Sequence, residues 1–473
     1  MEQVFNSKIA GKRVLILGLG VEGKSTYRFL RKMFPDQQIT LSDQRTELLN
    51  VDEFRHVNTI MNFGENYLHD LGSFDVIIKS PGISENLLPA SLPDEKLTSQ
   101  TELFLEVYRN QTIGITGTKG KSTTASLIHH LLSSAKYKSL LVGNIGLPPF
   151  DVIDQIQPET LIVFELSAHQ LEKVRVSPHI GVLLNIYQEH LDHFNDFQSY
   201  QLAKLNIAKW QTSKDFLIYP GKENSVIDLI NHSTLVSNKR TYGFGTEPCL
   251  NTCFKDDQIF LNASGALKMI CDLTGIEFLP GRHNQLNLMA AFSTLIGAGV
   301  TDFNFYNSLS DFRGLKHRME FIGSYNSKRF YNDSIATIPE AVIYALDTIK
   351  DIDCLLLGGY DRGIDYSQLV DYLANSEIPN FFFTGDAGKR MLNMLKPRLT
   401  QRHHCKWFKS FDEMVKEAIK STSENRTCLL SPAAASYDEF MNFEHRGNRF
   451  RELVNNWFQS LKDQNITKLT GNS

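Results

Sequence analysis

Cysteine is scarce, with 6 in 473 residues. So few thiols in so long a chain exclude a disulfide framework, and a reducing cytoplasm is the expected compartment. Cys249 and Cys253 lie close together, as do His403, His404 and Cys405. Neither group has the second pair of ligands that a zinc site needs. An excess of charge of one sign is also missing. Against 49 Lys and Arg stand 53 Asp and Glu, a net charge of −4. No global attraction to nucleic acid or to a membrane surface follows. No apolar run is long enough to span a bilayer. The opening "MEQVFNSKIAGKRVLILG" enters a strand-like run without a signal-peptide core. Repeats and low-complexity segments are absent as well. What remains is an ordinary composition, 42% hydrophobic and 22% charged, in a chain long enough for two to four domains.

Short apolar runs alternate with amphipathic ones. "RVLILG" (Arg13 to Gly18), "QITLSD" (Gln38 to Asp43) and "DVIIKSPG" (Asp75 to Gly82) read as buried parallel strands, with a helix in "EGKSTYRFLRKMF" between the first two. The helical connector "SQTELFLEVYRN" leads into a second unit with strands "QTIGITG", "SLLVGN", "TLIVFELS" and "IGVLLNI". A third unit begins near Gly314, with strands "KRFYNDS", "CLLLGG", "NFFFTGD" and "RTCLLSPAAAS" and a last helix through "NRFRELVNNWFQSLK". The polar tail after it reads as frayed. This alternation predicts an α/β protein of three domains, placed at 1–108, 109–313 and 314–473. The first and last are Rossmann-like, and the middle one is a P-loop ATPase-type parallel sheet.

Function in such sheets gathers at the carboxyl ends of the strands. "GITGTKGKSTTASL" (Gly114 to Leu127) follows the apolar strand "TIGIT" and precedes a helical pattern. It resembles a P-loop, but the early glycine of the common form is replaced by Ile115. Backbone N–H groups of Gly117, Thr118, Lys119 and Gly120 would point at phosphate oxygens. Lys121 would meet the terminal phosphates, and Ser122 could ligate Mg²⁺. Glu165 follows the apolar run of "LIVFELSAHQL", where a strand-end carboxylate can support a metal. His190 and Asp192 follow the next strand, and a histidine there could serve a second metal. "GLGVEG" carries Gly18, Gly20 and Gly23, and Asp43 stands at the spacing of a ribose-binding acid. Alone this is weak evidence for NAD, since the same geometry serves other nucleotides. "KSPGIS" (Lys79 to Ser84) ends another strand facing the same crevice.

In order along the chain stand "TGTKGKST", "ELSAHQ", "NIYQEHLDH", "GRHNQLN", "LKHRMEF", "NDSIAT" and "SPAAASYDEFMNFEHRGNRF". Together they resemble the Mur ligase family, three-domain ATP-dependent amide-forming enzymes of peptidoglycan synthesis, across essentially the whole chain. The last motif is similar to that of the members that add glutamate to UDP-N-acetylmuramoyl-L-alanine. The family's loop also lacks the early glycine, with asparagine common where Lys119 stands. The resemblance implies ATP and Mg²⁺ as cofactors and an acyl-phosphate intermediate. The implied substrates are the UDP-sugar and glutamate, D-glutamate by family default. The implied state is a cytoplasmic monomer that neither binds nucleic acid nor inserts into membranes. It places ATP on Gly117 to Thr123, Asn284, Asn287, Arg318 and Asp333. It places metal on Ser122, Glu165, His190 and a carbamylated Lys204. By the residues alone, Lys204 in "QLAKLNIAKW" is one surface-helix lysine among many. The UDP-sugar falls to Gly18, Leu19, Gly20, Val21, Glu22, Asp43, Gln44, Arg45, Ser80, Pro81, Gly82, Ile83 and Asn144. Glutamate falls to Thr337, Arg362, Ser436, Tyr437 and Phe443.

The glutamate pocket departs from the family pattern. Ile335 replaces a lysine, Arg362 stands where a lysine is frequent, and Tyr437 stands where leucine is usual. One cation is lost and the other becomes a planar fork that can grip a carboxylate bidentately. L-glutamate is therefore an alternative amino acid for the same reaction. A folate polyglutamate synthase-like ligase is a second alternative, disfavoured by the UDP-type first domain and "NFEHRG". An inactive nucleotide-binding scaffold is a third, disfavoured by the intact Lys121, Glu165, His190 and Lys204.

Overall fold

The computed structural model describes residues 1–189, 193–263, 265–274, 281–300, 308–309, 312, 314–399 and 403–470. The chain divides into two compact units, one built on Met1–Ile276 with Arg282–Asp311 and the other on Phe312–Ser473. Among the described residues there are three sheets, two in the first unit and one in the second.

The first sheet is parallel, with β1 (Val14–Leu17), β2 (Ile39–Asp43), β3 (Thr59–Phe63), β4 (Val76–Lys79) and β5 (Leu97–Thr98) in the order 3-2-1-4-5. Every residue of β1 and β4 is buried. Strands covered on both faces need continuous apolar runs, and "VLIL" supplies one. Helices α1 (Glu2–Ile9), α2 (Val21–Met33) and α3 (Gln100–Tyr108) accompany it. The strand order reverses at β1 and β4, so the crevice at their carboxyl ends is the sheet's switch point. Gly18 and Ser80 meet there, the Ser80 hydroxyl donating to the Gly18 carbonyl at 2.6 Å.

The second sheet holds β6 (Thr112–Thr116), β7 (Ser139–Gly143), β8 (Leu161–Glu165), β9 (Ile180–Leu183), β10 (Phe216–Pro220), β11 (Asn238–Phe244), β12 (Thr252–Lys255), β13 (Gln258–Ala263) and β14 (Ala266–Asp272). Its order is 14-13-12-11-10-9-6-8-7. β6 to β12 run parallel, and β13 and β14 add an antiparallel hairpin. Its helices are α4 (Lys121–Ser134), α5 (Ala168–Leu171), α6 (Phe197–Lys209), α7 (Asn224–Asn231) and α8 (Arg282–Gly297). β6 lies between β8 and β9, so its carboxyl end opens at this sheet's own switch point.

In the second unit, β15 (Glu320–Tyr325), β16 (Lys328–Asn332), β17 (Ile352–Gly358), β18 (Asn380–Thr384), β19 (His404–Phe408) and β20 (Thr427–Leu430) take the order 15-16-20-17-18-19. Side chains alternate between its faces. Leu355, Leu357, Phe381, Phe383 and Leu429 enter one core cluster, while Cys354, Leu356, Phe382, Cys428 and Leu430 enter the other. The last helix, Phe443–Thr470, continues through the polar tail that the sequence reads as frayed. All six cysteines are free thiols, and no described helix is long and apolar enough to cross a membrane.

Candidate active site

The loop after β6 is braced by side chains, several of them bonded to its backbone. The Lys121 ammonium donates to the Gly117 carbonyl at 2.9 Å and to the Thr118 carbonyl at 3.1 Å. Asn185, just past β9, accepts from the Lys119 N–H at 2.8 Å and donates to its carbonyl at 2.9 Å. The Thr118 hydroxyl pairs with Tyr200 of α6 at 3.0 Å. Lys119 reaches Glu189 at 2.8 Å. Ser122 and Thr123 follow in the first turn of α4, which leaves their N–H groups at a helix N-terminus, where anions bind.

Gly120 caps that helix at φ 86°, and a Cβ there would stand 2.5 Å from the Asn287 Oδ1. Asn287, buried in α8, donates to Asn284 at 3.3 Å. These two asparagines therefore pack directly under the loop. Gly120→Ala should cost about 2 kcal/mol in left-handed backbone strain and displace Asn287. The denaturant midpoint and the ATP affinity would both fall. Wild-type values for both would mean that the loop relaxes freely.

Glu165 ends β8, pairs in register with Ile115 of β6 and is 3% exposed. The strand thus delivers a buried carboxylate beside the phosphate loop, as its place in the sequence suggests. Lys204 corrects the surface-lysine reading. It is 1% exposed and donates to the same Gly117 carbonyl as Lys121, at 2.9 Å, with Tyr200 as a ring partner. Burial, and then the neighbouring charge of Lys121, bring its pKa down to about 7, with Glu189 opposing. A neutral, nucleophilic amine is therefore accessible near neutral pH. His190 and Asp192 lie outside the described residues. Among the described residues no cluster of three or more His, Cys, Asp or Glu could hold a metal. Mg²⁺ keeps several waters, so one carboxylate and one hydroxyl can suffice for it.

At the first sheet's crevice, Asp43 is fully engaged. It accepts from the Leu19 N–H at 2.7 Å and from Arg45 through both oxygens, at 2.9 and 3.0 Å. Burial pushes its pKa up, but these bonds outweigh it and hold the carboxyl below its usual range. Asp43 thus orders the Gly18–Gly20 turn and aims Arg45. Gly23 has no room for a Cβ, which would fall 2.0 Å from the Gly18 carbonyl oxygen, so the helix start packs against the turn. Val21, Gln44, Arg45, Gly82 and Asn144 are exposed. Pro81 and Ile83 are half-buried in the Ser80 turn, which Lys79 closes by donating to the Ile83 carbonyl at 2.8 Å.

In the second unit Arg318 precedes β15, and the other named residues follow three adjacent strands, β16, β20 and β17. Asp333 is buried, accepts from Ser431 at 2.7 Å and from the Met319 N–H at 3.1 Å, and burial raises its pKa to about 7. Arg318 is exposed between His317 and Met319, both with left-handed φ, at 65° and 41°. Arg362 donates to the Thr337 carbonyl at 2.8 Å, and the Tyr360 and Tyr437 rings meet edge to face at 6.5 Å. Ile335 is half-buried beside them in sequence, Ser436 is buried, and the Phe443 carbonyl accepts from Ser334 at 2.8 Å. Sequence reasoning missed Asn185, Tyr200 and Arg446. The last lies inside the quoted "NFEHRG", so its presence was visible and its burial was not.

A glycine loop between a buried parallel strand and a helix, with lysine at the first helical position and a buried strand-end carboxylate beside it, defines a P-loop-type nucleotide-binding α/β enzyme. Residues 12–90 match the Mur ligase MurD-like N-terminal domain, 115–295 the Mur ligase middle domain and 317–434 the Mur ligase glutamate ligase domain. The UDP-N-acetylmuramoylalanine--D-glutamate ligases of Acetivibrio thermocellus and Clostridium kluyveri are 31% and 32% identical, each over 95% of this chain and 98% of its own length. Among solved structures, the MurF ligase of Thermotoga maritima in complex with ADP shares the fold with a TM-score of 0.53 at 15% identity, covering 94% of this chain and 98% of that one. The UDP-N-acetylmuramate-alanine ligase MurC of the same organism gives 0.53 at 16%, covering 94% and 99%. The chain belongs to the Mur ligase family.

Proposed function

We propose that this chain is a cytoplasmic, monomeric ATP-dependent ligase of peptidoglycan precursor synthesis. It adds D-glutamate to UDP-N-acetylmuramoyl-L-alanine. The carrying observation is end-to-end similarity to relatives named for that reaction. Residues 1–108 take the UDP-sugar, 109–313 take ATP and 314–473 take glutamate.

The alanyl carboxylate is a poor electrophile until the γ-phosphoryl group of ATP is transferred to one of its oxygens. The glutamate amine then attacks the acyl carbon, and inorganic phosphate leaves. That amine is mostly protonated at neutral pH and must shed a proton before attack. The chain's own part is charge placement and positioning. Lys121 and the N–H groups of Gly117 to Thr123 hold the phosphates, and Asn284 and Asn287 line the nucleotide pocket beneath them. Arg318 and Asp333 are the remaining nucleotide-binding residues of this reading. Ser122 and Glu165 would hold Mg²⁺, with His190 and a carbamylated Lys204 in support; the ion supplies neutralisation of phosphate charge. The donor set suits that ion, being oxygen-rich and centred on one buried carboxylate. Thr337, Arg362, Ser436, Tyr437 and Phe443 take the amino acid, Arg362 facing a carboxylate.

Phosphate release measured with each enantiomer of glutamate tests this. D-Glutamate should be preferred by about tenfold or more in kcat/KM. Preference for the L-isomer would reassign the stereochemistry to the altered pocket at Ile335, Arg362 and Tyr437. Inactivity with both would remove the substrate.

A further inference from the structure

Glu22 is an acid with one buried oxygen left without a hydrogen-bond donor among the described residues. It is the second residue of α2, directly after the Gly18–Gly20 turn, where a helix N-terminus offers N–H groups to an anion. Its Oε1 accepts from the Gln170 carboxamide at 2.5 Å. Gln170 is fixed in that orientation, because its own oxygen already accepts from the Ser167 N–H at 2.8 Å. The Glu22 Oε2 is buried and has no hydrogen-bond partner among the described residues. A bare carboxylate oxygen without a donor is costly to bury, whereas a neutral carboxyl is far less so.

The groups around Glu22 do not neutralise it. Gln100 of α3 donates to its backbone carbonyl at 3.1 Å and is uncharged. Gln170 of α5 is uncharged too. Lys79 of β4 is the cation that faces it, and this ammonium is shared with Glu172, 3.9 Å away, and with Glu85. Glu172 also meets His193 at 3.2 Å, and Lys173 meets Glu85 at 3.2 Å. Lys79 therefore serves three acids, and its Nζ is also committed to the Ile83 carbonyl. Burial carries the Glu22 pKa up to about 7, against the smaller pulls of Gln170 and Lys79.

We propose that Glu22 is a positioning residue for the sugar nucleotide that works as the neutral acid, so that binding of the diphosphate takes up a proton. This rests on the UDP-sugar reading of the Gly18–Gly23 turn. Two negative charges brought to the α2 N-terminus disfavour a second buried anion there. The carboxyl responds by holding its proton more tightly. Neutral Glu22 leaves the helix N-terminus to the ligand and keeps the Gln170 bond through its carbonyl oxygen. Through Gln170 and Ser167 the same contact joins the nucleotide turn to the segment that follows Glu165. Linkage sets the sign: the bound state holds more protons, so affinity falls as pH rises past the free-state value.

The test is calorimetric binding of UDP-N-acetylmuramoyl-L-alanine to the full chain without ATP, in buffers of different ionisation heat. The diphosphate and the alanyl carboxylate of the ligand do not titrate near neutrality, so uptake reports on the protein. Proton uptake should rise from near zero at about pH 6 toward about one proton at about pH 8, with affinity falling up to about tenfold per pH unit. Glu22→Gln, an isostere of the neutral acid, should take up no proton and show a flat affinity. Glu22→Ala should bind more weakly than wild type at about pH 6, where the acid is already neutral. Wild-type binding without proton uptake overturns the proposal, and that measurement needs no variant to fold. Uptake that persists in a folded Glu22→Gln overturns it equally. Absence of binding at every pH would instead remove the sugar-nucleotide reading on which it rests.

Discussion

Lys204→Ala is expected to lose about 10²- to 10³-fold in kcat, the range for removing a preorganised group that stabilises transition-state charge. Short carboxylic acids such as formate or acetate should restore part of it. The reasoning starts from burial. An ammonium at 1% exposure, sharing one carbonyl with a second ammonium, is poorly stabilised as a cation. Its pKa of about 7 leaves a substantial neutral fraction, which can attack carbon dioxide, lose a proton and become a carbamate. The product is a carboxylate analogue beside the phosphate loop, able to support Mg²⁺. A small acid diffusing into the cavity of the alanine variant would replace that function, whereas it could not replace an ammonium. Lys204→Arg, which keeps a cation, should be inactive and beyond rescue. Full activity of the alanine variant would exclude the role. The same shift has a signature in stability. Between about 7 and the ordinary 10.5, the unfolded lysine holds a proton that the folded one lacks. Stability of the uncarbamylated protein should therefore rise with pH across that window and level off below it, and Lys204→Met should flatten the rise.

Lys204 also marks where sequence reading runs out. The phosphate loop was legible because its chemistry is local: strand, glycine turn, lysine and helix follow one another within 14 residues from Gly114 to Leu127. The buried runs of β1, β4, β6 and β8 were legible because parallel strands covered on both faces are apolar throughout. By contrast β14, with exposed residues along most of its length, carries no such signal, and the hairpin it forms with β13 was not read. Lys204 lies on a helix whose lysines look alike in sequence. What separates it from Lys209 is the tertiary position of Gly117, 87 residues earlier. Asn185 and Tyr200 owe their roles to the loop they brace, which no spacing within their own segments records. Asp43 was legible as a residue of the crevice, but its engagement by Leu19 and Arg45 required the turn to be seen in place. The proposed glutamate pocket lies between these cases: its loops follow three adjacent strands that end at Asn332, Gly358 and Leu430, far apart in sequence.

Arg446 holds those loops together, and its replacement should have the largest effect on the second unit. Its guanidinium, on the last helix, is 2% exposed and faces no carboxylate within bonding distance among the described residues. Instead it donates to the Ser334 hydroxyl at 3.0 Å, to the Ser334 carbonyl at 2.9 Å, to Ala434 at 3.0 Å, to Ala435 at 3.2 Å and to Gly358 at 3.5 Å. Burial lowers its pKa to about 10, so it stays charged at neutral pH, its charge spread over carbonyl dipoles. The bonded residues are Gly358 at the end of β17 and residues of the loops after β16 and β20, beside Arg362, Thr337 and Ser436 in sequence. A planar fork can reach all of them at once; a lysine offers one point charge and cannot. Arg446→Met would leave several buried acceptors short of a donor, and a loss of about 3–5 kcal/mol in stability is expected. Arg446→Lys should lose less stability, and its effect on catalysis should be selective. The glutamate KM should rise by about tenfold or more while the KM for the UDP-sugar stays near wild type, because the loops that drift are those assigned to the amino acid. Urea unfolding of the full chain and steady-state kinetics with each substrate varied in turn read the two effects. An Arg446→Met variant with wild-type stability would show that the carbonyls find other donors. An Arg446→Lys variant with an unchanged glutamate KM would show that the loops keep their places without the fork.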